Sequence, residues 1–406
     1  MVERSAPPGG PHAFFDLVRA GDPVVHVPEL DLWLVAGYEA ARQVLVQPEL
    51  FSSRESLSYG HAFRDEAIRE RLRHGPGYPR APTLVFSDPP QHTRYREMLA
   101  AAFGPVTRAS VMTPAIQRIV DRLIDGFVSK GRCEFIAAFA NPLPIAVIGD
   151  VLGVPEDDLL RLRGWSDAFI DVQMSSLSPQ RVEECAEAIL DFERFMLEAL
   201  ESRRREPRED LLTGLVFSRD GRGRALTDQE LISVLQQLLV GGNETTRNFL
   251  GNAVWRLVGD SELRERLVSN PREVPRMAEE LLRLESPLQG VFRIARHDTQ
   301  VSGVPIPAGA KLMVLLGAAN QDPRRFSAEL DPPHASASSH LAFGRGIHGC
   351  IGAPLARIEI RIAVTALLRR LPRLRLEEGQ PLERAPLIAI RGFRELWIRF
   401  DAPQEE

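Results

Sequence analysis

The chain has 406 residues, 44% hydrophobic and 26% charged, with a net charge of −5, an ordinary globular composition with material for a large core. No stretch reaches the length of a membrane span and the N-terminus lacks an apolar signal core, so neither insertion nor export is expected. The acidic balance, with no concentrated basic tract, argues against nucleic-acid binding. Cys133, Cys185 and Cys350 are the only cysteines, an odd and sparse set that argues against a disulfide framework and for a reducing cytoplasm. Lysine occurs only at Lys130 and Lys311, which reads as genomic composition.

Taken in chain order, residues 1–11 read as a frayed Pro/Gly-rich tail. Short β-like segments follow at 24–27 and 32–35, then a helix over 38–46. Helical periodicity covers 93–103, 116–130, 143–152 (stopped by Gly153) and 183–205. Residues 203–223 are charged and break that periodicity, yet are too short and mixed for a domain linker. Thr227-Asp-Gln-Glu230 is a capping box that opens a helix running to about Val258. Another helix spans 274–284, stopped by Pro287. Strand-like pieces recur at 292–295, 301 and 311–316. The last helix is 353–371, followed by strands near Leu374 and at 396–400. The expectation is a mainly α fold with a small β region, and one domain over residues 1–406.

The segment His340-Leu-Ala-Phe-Gly-Arg-Gly-Ile-His-Gly-Cys-Ile-Gly352 carries the most functional information. Glycines at 344, 346, 349 and 352 let backbone approach a flat ligand closely. The start of the following helix favours a thiolate on Cys350, and a thiolate in a glycine-walled loop suits an axial iron ligand. A lone cysteine is otherwise most often a small buried hydrophobe. Gly344-x-Gly346-x-x-Gly349 also reads as a dinucleotide fingerprint, but that motif needs an acidic residue about 20 positions on, where Arg369 and Arg370 stand. Phe343-x-x-Gly346-x-x-x-Cys350-x-Gly352 resembles the haem-ligand loop of the cytochrome P450 enzymes, the haem-thiolate monooxygenases.

The resemblance extends over nearly the whole chain and implies a triangular, single-domain fold binding haem b. It assigns Cys350 as the metal ligand and Phe343, Gly344 and Gly352 to the cofactor loop. It assigns His92 and Arg96 (from Asp88-Pro-Pro-Gln-His-Thr-Arg-Tyr-Arg96), Arg293 and His348 to the propionates, which need cationic or donor partners. Each of these four alone reads as a solvated surface residue. Gly241-Gly242-Asn243-Glu244-Thr245-Thr246 matches the family's oxygen-activation segment. It is expected to interrupt the long helix, since each interior glycine costs about 1 kcal/mol. There Thr245 would hold dioxygen and a water, and Glu244 would feed protons; the bland reading of the two glycines is a kink or a close helix crossing. Glu280-Leu-Leu-Arg283 matches the family's Glu-x-x-Arg pair, although three-apart ions on a helix are ordinarily a surface pair. The third member, usually arginine, is missing between Asp331 and His340, which leaves His334 as the substitute.

The resemblance further places a mostly apolar substrate pocket at Leu84, Phe86, Phe169, Leu238, Gly241, Leu288, Val291 and Ile388. The implied substrate is a lipophilic small molecule of terpenoid, steroid, fatty acid or polyketide class, hydroxylated or epoxidised with O2. No flavin or iron–sulfur domain is fused, so electrons are expected from a ferredoxin and its NAD(P)H-dependent ferredoxin reductase, at a surface including some of Arg345, Arg357 and Arg361. The alternatives are a haem-thiolate enzyme that uses peroxide or rearranges its substrate, and a haem-binding sensor without turnover.

Overall fold

The computed structural model describes residues 22–54, 66–78, 80–172, 177–327, 339–385 and 389–403. Two compact units emerge. One comprises Met1–Ser56, Val120–Ala140 and Thr245–Glu406; the other comprises Leu57–Ile119 and Asn141–Glu244. The fold is mainly α with a small β region, and among the described residues every strand lies in the first unit.

The first unit holds a five-stranded sheet in the order Val24–Val27, Leu32–Val35, Lys311–Val314, Val291–Ala295, Phe51–Ser52. Trp33 pairs with Leu312 in parallel; the other pairings are antiparallel, with Phe292 opposite Met313 and Ser52 opposite Ile294. One sheet face buries Val35, Leu312 and Val314 against Val44 and Leu45 of the helix Tyr38–Val46. A three-stranded sheet joins Arg132–Glu134, Trp397–Arg399 and Arg375–Leu376. The helical part packs four helices around one apolar cluster. Phe249, Ala253 and Leu257 meet Leu263 and Leu267 of Ser261–Ser269, Met277 and Leu281 of Val274–Leu284, and Ile360 and Val364 of Ala353–Arg370. Burying one such side chain contributes about 1.5–3 kcal/mol.

The second unit is built of helices, among them Gln91–Val106, Pro142–Leu152, Leu159–Asp171, Pro179–Arg205 and Leu211–Phe217. Phe169 and Trp165 pack edge-on against Phe192, with ring centroids 5.2 and 5.7 Å apart. The helix Asp228–Val258 opens on the expected capping box. The Thr227 N–H donates to Glu230 Oε2 at 2.9 Å, and the Glu230 N–H donates to Thr227 Oγ1 at 3.2 Å.

Several sequence expectations are corrected. The long helix is not interrupted at Gly241-Gly242 but runs as α-helix from Asp228 to Val258. Gly242 is a close crossing: a Cβ there would lie 3.2 Å from Ile148 Cδ1. The helix expected at 116–130 begins earlier and ends earlier, as Ala109–Asp125, and a separate 3₁₀ turn forms Val128–Lys130. The strand expected over 311–316 stops at Val314, and Leu316–Ala319 turns helical. Within 203–223 stands a helix, Leu211–Phe217, capped by Asp210, whose carboxylate accepts the Thr213 N–H at 2.9 Å. Among the described residues, no helix is long and apolar enough to cross a membrane.

Candidate active site

The Cys350 loop is held by its own backbone. The Gly344 N–H donates to the Leu341 carbonyl at 2.8 Å, the Gly349 N–H to Gly346 at 3.1 Å, and the Cys350 N–H to the Phe343 carbonyl at 2.8 Å. Gly344 and Gly346 take φ of +67° and +70°, where only glycine sits without strain. Gly346 is doubly constrained, because a Cβ would run into the Leu45 carbonyl oxygen and lie 3.2 Å from Val46 Cα. The loop therefore rests directly on the backbone at the end of the helix Tyr38–Val46. Cys350 is exposed, whereas Cys133 and Cys185 are buried, and burial pushes their thiols up to about 12 and about 11. A Cβ on Gly352, the residue before the helix Ala353–Arg370, would lie 3.8 Å from Cys350 Sγ.

Glu280 and Arg283 form no surface pair. Each side chain is 1% exposed, and Arg283 Nε and Nη2 both donate to Glu280 Oε2, at 3.1 and 2.8 Å. Arg283 Nη1 also donates to the Asn320 carbonyl at 3.0 Å. The Asn320 side chain in turn donates to Ser286 Oγ at 2.9 Å and accepts the Leu341 N–H at 2.6 Å. A buried charge pair is thus connected, through Asn320, to the entrance of the cysteine loop. Sequence reasoning missed Asn320, although it stands in the motif Ala319-Asn-Gln-Asp-Pro323. His334 lies outside the described residues.

Of the expected propionate partners, Arg293 and His348 belong to the first unit. Arg293 is buried on the strand Val291–Ala295. His348 is half-buried, with Nε2 3.0 Å from Oγ of buried Ser53, a partner sequence reasoning missed. His92 and Arg96 belong to the second unit, one turn apart on Gln91–Val106, with His92 buried and Arg96 half-buried.

The expected pocket residues divide in the same way. In the second unit, Phe169 and Leu238 are buried, Phe86 is half-buried, and Gly241 is exposed in mid-helix, where an added Cβ would meet nothing within 4 Å. Leu84 is buried and has a φ of +43°, an uncommon conformation for a branched side chain, costing about 1–3 kcal/mol. Side chains of the long helix hold it there. Thr83 Oγ1 donates to Ser233 Oγ at 3.1 Å, Ser233 Oγ donates to the Ala81 carbonyl at 2.7 Å, and the Val85 N–H donates to Gln237 Oε1 at 3.2 Å. Glu244 is buried in this unit; the neighbouring Asn243 donates to Ser166 Oγ at 2.9 Å.

In the first unit, Thr245 is half-buried, as are Leu288 and Val291. Leu288 bridges to Ile390, and the Gln289 N–H donates to the Ala389 carbonyl at 2.7 Å. The long helix anchors the same segment, with Asn252 Nδ2 donating to the Arg391 carbonyl at 3.0 Å and Arg247 Nη2 to that of Phe393 at 3.3 Å. Ile388 lies outside the described residues.

A family model described as Cytochrome P450 matches residues 274–386. The chain is 36% identical to the cytochrome P450 monooxygenase PikC of Streptomyces venezuelae, over 97% of this chain and 92% of that protein. The chain belongs to the cytochrome P450 family. It is also 33% identical to a vitamin D(3) 25-hydroxylase of Pseudonocardia autotrophica, over 91% of this chain and 88% of that one. Among solved structures it resembles CYP109E1 from Bacillus megaterium in complex with testosterone, with a TM-score of 0.83, 29% identity, and coverage of 97% of this chain and 99% of that one. The fold is that of this P450 family, whose members are haem-thiolate monooxygenases.

Proposed function

We propose that this P450 holds haem b through the Cys350 thiolate and hydroxylates or epoxidises a lipophilic small molecule, with residues 1–406 acting as one catalytic domain. The observation that carries the ligand assignment is the exposed cysteine on a loop whose turns require glycine, set against two buried thiols. The remaining residues fit the group. Gly344 takes the left-handed turn of the loop, which the resemblance assigns to the cofactor together with Phe343 and Gly352. The family resemblance assigns Arg293 and His348 of the first unit, and His92 and Arg96 of the second, to the propionates, and each is of the cationic or donor type they need.

Bound there, haem would supply the oxygen activation and C–H oxidation that the polypeptide cannot. This chain's own residues bind, orient and deliver protons. Thr245 positions a water by its hydroxyl and Glu244 passes protons to it, while the residues that the family resemblance assigns to substrate are mostly apolar and suit a lipophilic molecule. The balanced reaction consumes substrate, O2, NAD(P)H and a proton, and yields oxygenated product, NAD(P)+ and water. Its two electrons come from NAD(P)H through a reductase and a ferredoxin. Arg345 and Arg361 are exposed and available to an acidic partner of that kind, while Arg357 is engaged by Glu279. A steroid-like or other lipophilic substrate is supported by the vitamin D(3) 25-hydroxylase relative, by the testosterone-bound neighbour and by the apolar residues assigned to the pocket.

Two substitutions test the reading. Cys350→His should turn the reduced CO spectrum from thiolate-like to imidazole-like, while Cys133→Ser and Cys185→Ser leave it unchanged; the opposite pattern would overturn the ligand assignment. Thr245→Ala should keep haem but lower product formed per NAD(P)H consumed, with hydrogen peroxide as the balance. Wild-type coupling in that variant would remove the role of Thr245.

A further inference from the structure

A second charged group stands beside the cysteine loop, starting one residue before Glu280. Glu279, on the helix Val274–Leu284, accepts from Arg357 Nε at 2.7 Å and from Arg357 Nη2 at 2.9 Å, a two-pronged ion pair. The same guanidinium lies over the Phe343 ring, 4.5 Å from its centroid. Behind the carboxylate stands His340, whose side chain is 2% exposed and whose Nε2 is 3.2 Å from Glu279 Oε2, close but not well aligned. His340 Nδ1 accepts the Ala342 N–H at 3.2 Å, so the neutral ring carries its proton on Nε2, facing Glu279.

These contacts define the charge state of the group. Burial alone would raise the Glu279 carboxyl, but His340 and Arg357 outweigh it and hold it at about 2, so it is ionised at any working pH. The Arg357 cation is stabilised first by Glu279, and the Phe343 residue it covers is tied to the cysteine by the Cys350 N–H, which donates to the Phe343 carbonyl at 2.8 Å. Arg357 thus sits against the residue whose carbonyl accepts the Cys350 N–H, and its planar fork is held along one edge by the carboxylate and on one face by the aromatic ring. Lysine could make neither contact in the same way.

We propose that Glu279 is a positioning residue: by clamping Arg357 against Phe343 it fixes a positive charge on the Cys350 loop, and this charge makes iron held by Cys350 easier to reduce. The inference rests on Cys350 being the iron ligand. Reduction adds one electron to the metal–thiolate unit, and a fixed cation nearby favours the more negative state.

The test is a spectroelectrochemical titration of the haem-loaded protein, with a chemical mediator supplying the single electron. Arg357→Met should shift the ferric:ferrous ratio at a fixed poise roughly three- to tenfold toward ferric, as expected for one charge in partly buried surroundings. Glu279→Met should shift it in the same direction, although deleting a negative charge would by itself shift it toward ferrous. The double variant should go no further than Arg357→Met, and Arg357→Lys should fall between Arg357→Met and wild type. A ratio shifted toward ferrous in Glu279→Met, or wild-type ratios throughout, overturns the proposal. If the methionine variants do not fold, Arg357→Lys decides: a wild-type ratio there overturns it. Failure of the underlying reading looks different, because the thiolate-type CO spectrum would then survive Cys350→Ser or be absent from the wild type.

Discussion

Glu359 sits on the helix Ala353–Arg370 with 3% of its surface exposed, and its Oε1 has no hydrogen-bond partner. Burial pushes its carboxyl from 4.5 up to about 8, so the folded protein carries it protonated at neutral pH. The unfolded chain releases that proton near pH 4.5, so between about pH 4.5 and 8 the folded state holds one proton more than the unfolded state. Stability must therefore fall as pH rises through this window. At about 1.4 kcal/mol per pH unit, the full span sets a ceiling of about 5 kcal/mol. Glu359→Gln keeps the shape and removes the titration. Urea unfolding of both proteins from about pH 5 to about pH 9 should find them close at the acid end. The variant should then gain by up to about 1.4 kcal/mol per unit, with a plateau above about pH 8. Taking the difference between the two proteins cancels the other titrating groups. A pH-independent offset, or a wild type that gains on the variant as pH rises, would mean that Glu359 is ionised and partnered, and would refute the reasoning.

Gly346→Ala should cost at least about 1–2 kcal/mol from its left-handed backbone alone, and more from the clash with the Leu45 carbonyl; thermal unfolding and loss of the thiolate-type CO spectrum report it. Glu280→Gln removes the carboxylate charge paired with buried Arg283 and should cost about 3–5 kcal/mol, whereas Asn320→Ala, which severs the link to Leu341, should cost about 1–3 kcal/mol; urea unfolding ranks the two, and an inverted order would contradict the buried-pair reading. Gly241→Ala should stabilise the protein by about 0.8–1 kcal/mol, because the new methyl meets nothing, while weakening substrate-induced spectral shifts by narrowing the open space; a destabilised variant would show that this space is filled.

The parts of this protein that were readable in the sequence are those specified by neighbours in the chain. Thr227 and Glu230 announce the long helix because their two hydrogen bonds span three residues, and Val274–Leu284 is framed by a proline at each end. Leu159–Asp171 escaped notice, although Leu162, Trp165 and Phe169 bury one face at three- and four-residue spacing; Leu211–Phe217 escaped because seven residues are too few to establish a period, leaving only its Asp210 cap as a signal. The cysteine loop was legible for a local reason too, since Gly344 and Gly346 stand where the backbone turns left-handed. What gives that loop its surroundings was not legible. Asn320 reaches Arg283 and Leu341 across 37 and 21 residues, Ser53 reaches His348 across 295, and Glu279 reaches Arg357 across 78. Glu279 and Glu280 are chemically identical neighbours in the sequence. Adjacent positions on a helix point about 100° apart, and that rotation alone sends Glu280 into a buried pair with Arg283 and leaves Glu279 to engage the helix that follows Cys350. A motif can name the residue type and the spacing, but which of two equal carboxylates acts on the cysteine loop is decided only by the direction in which the helix presents each one.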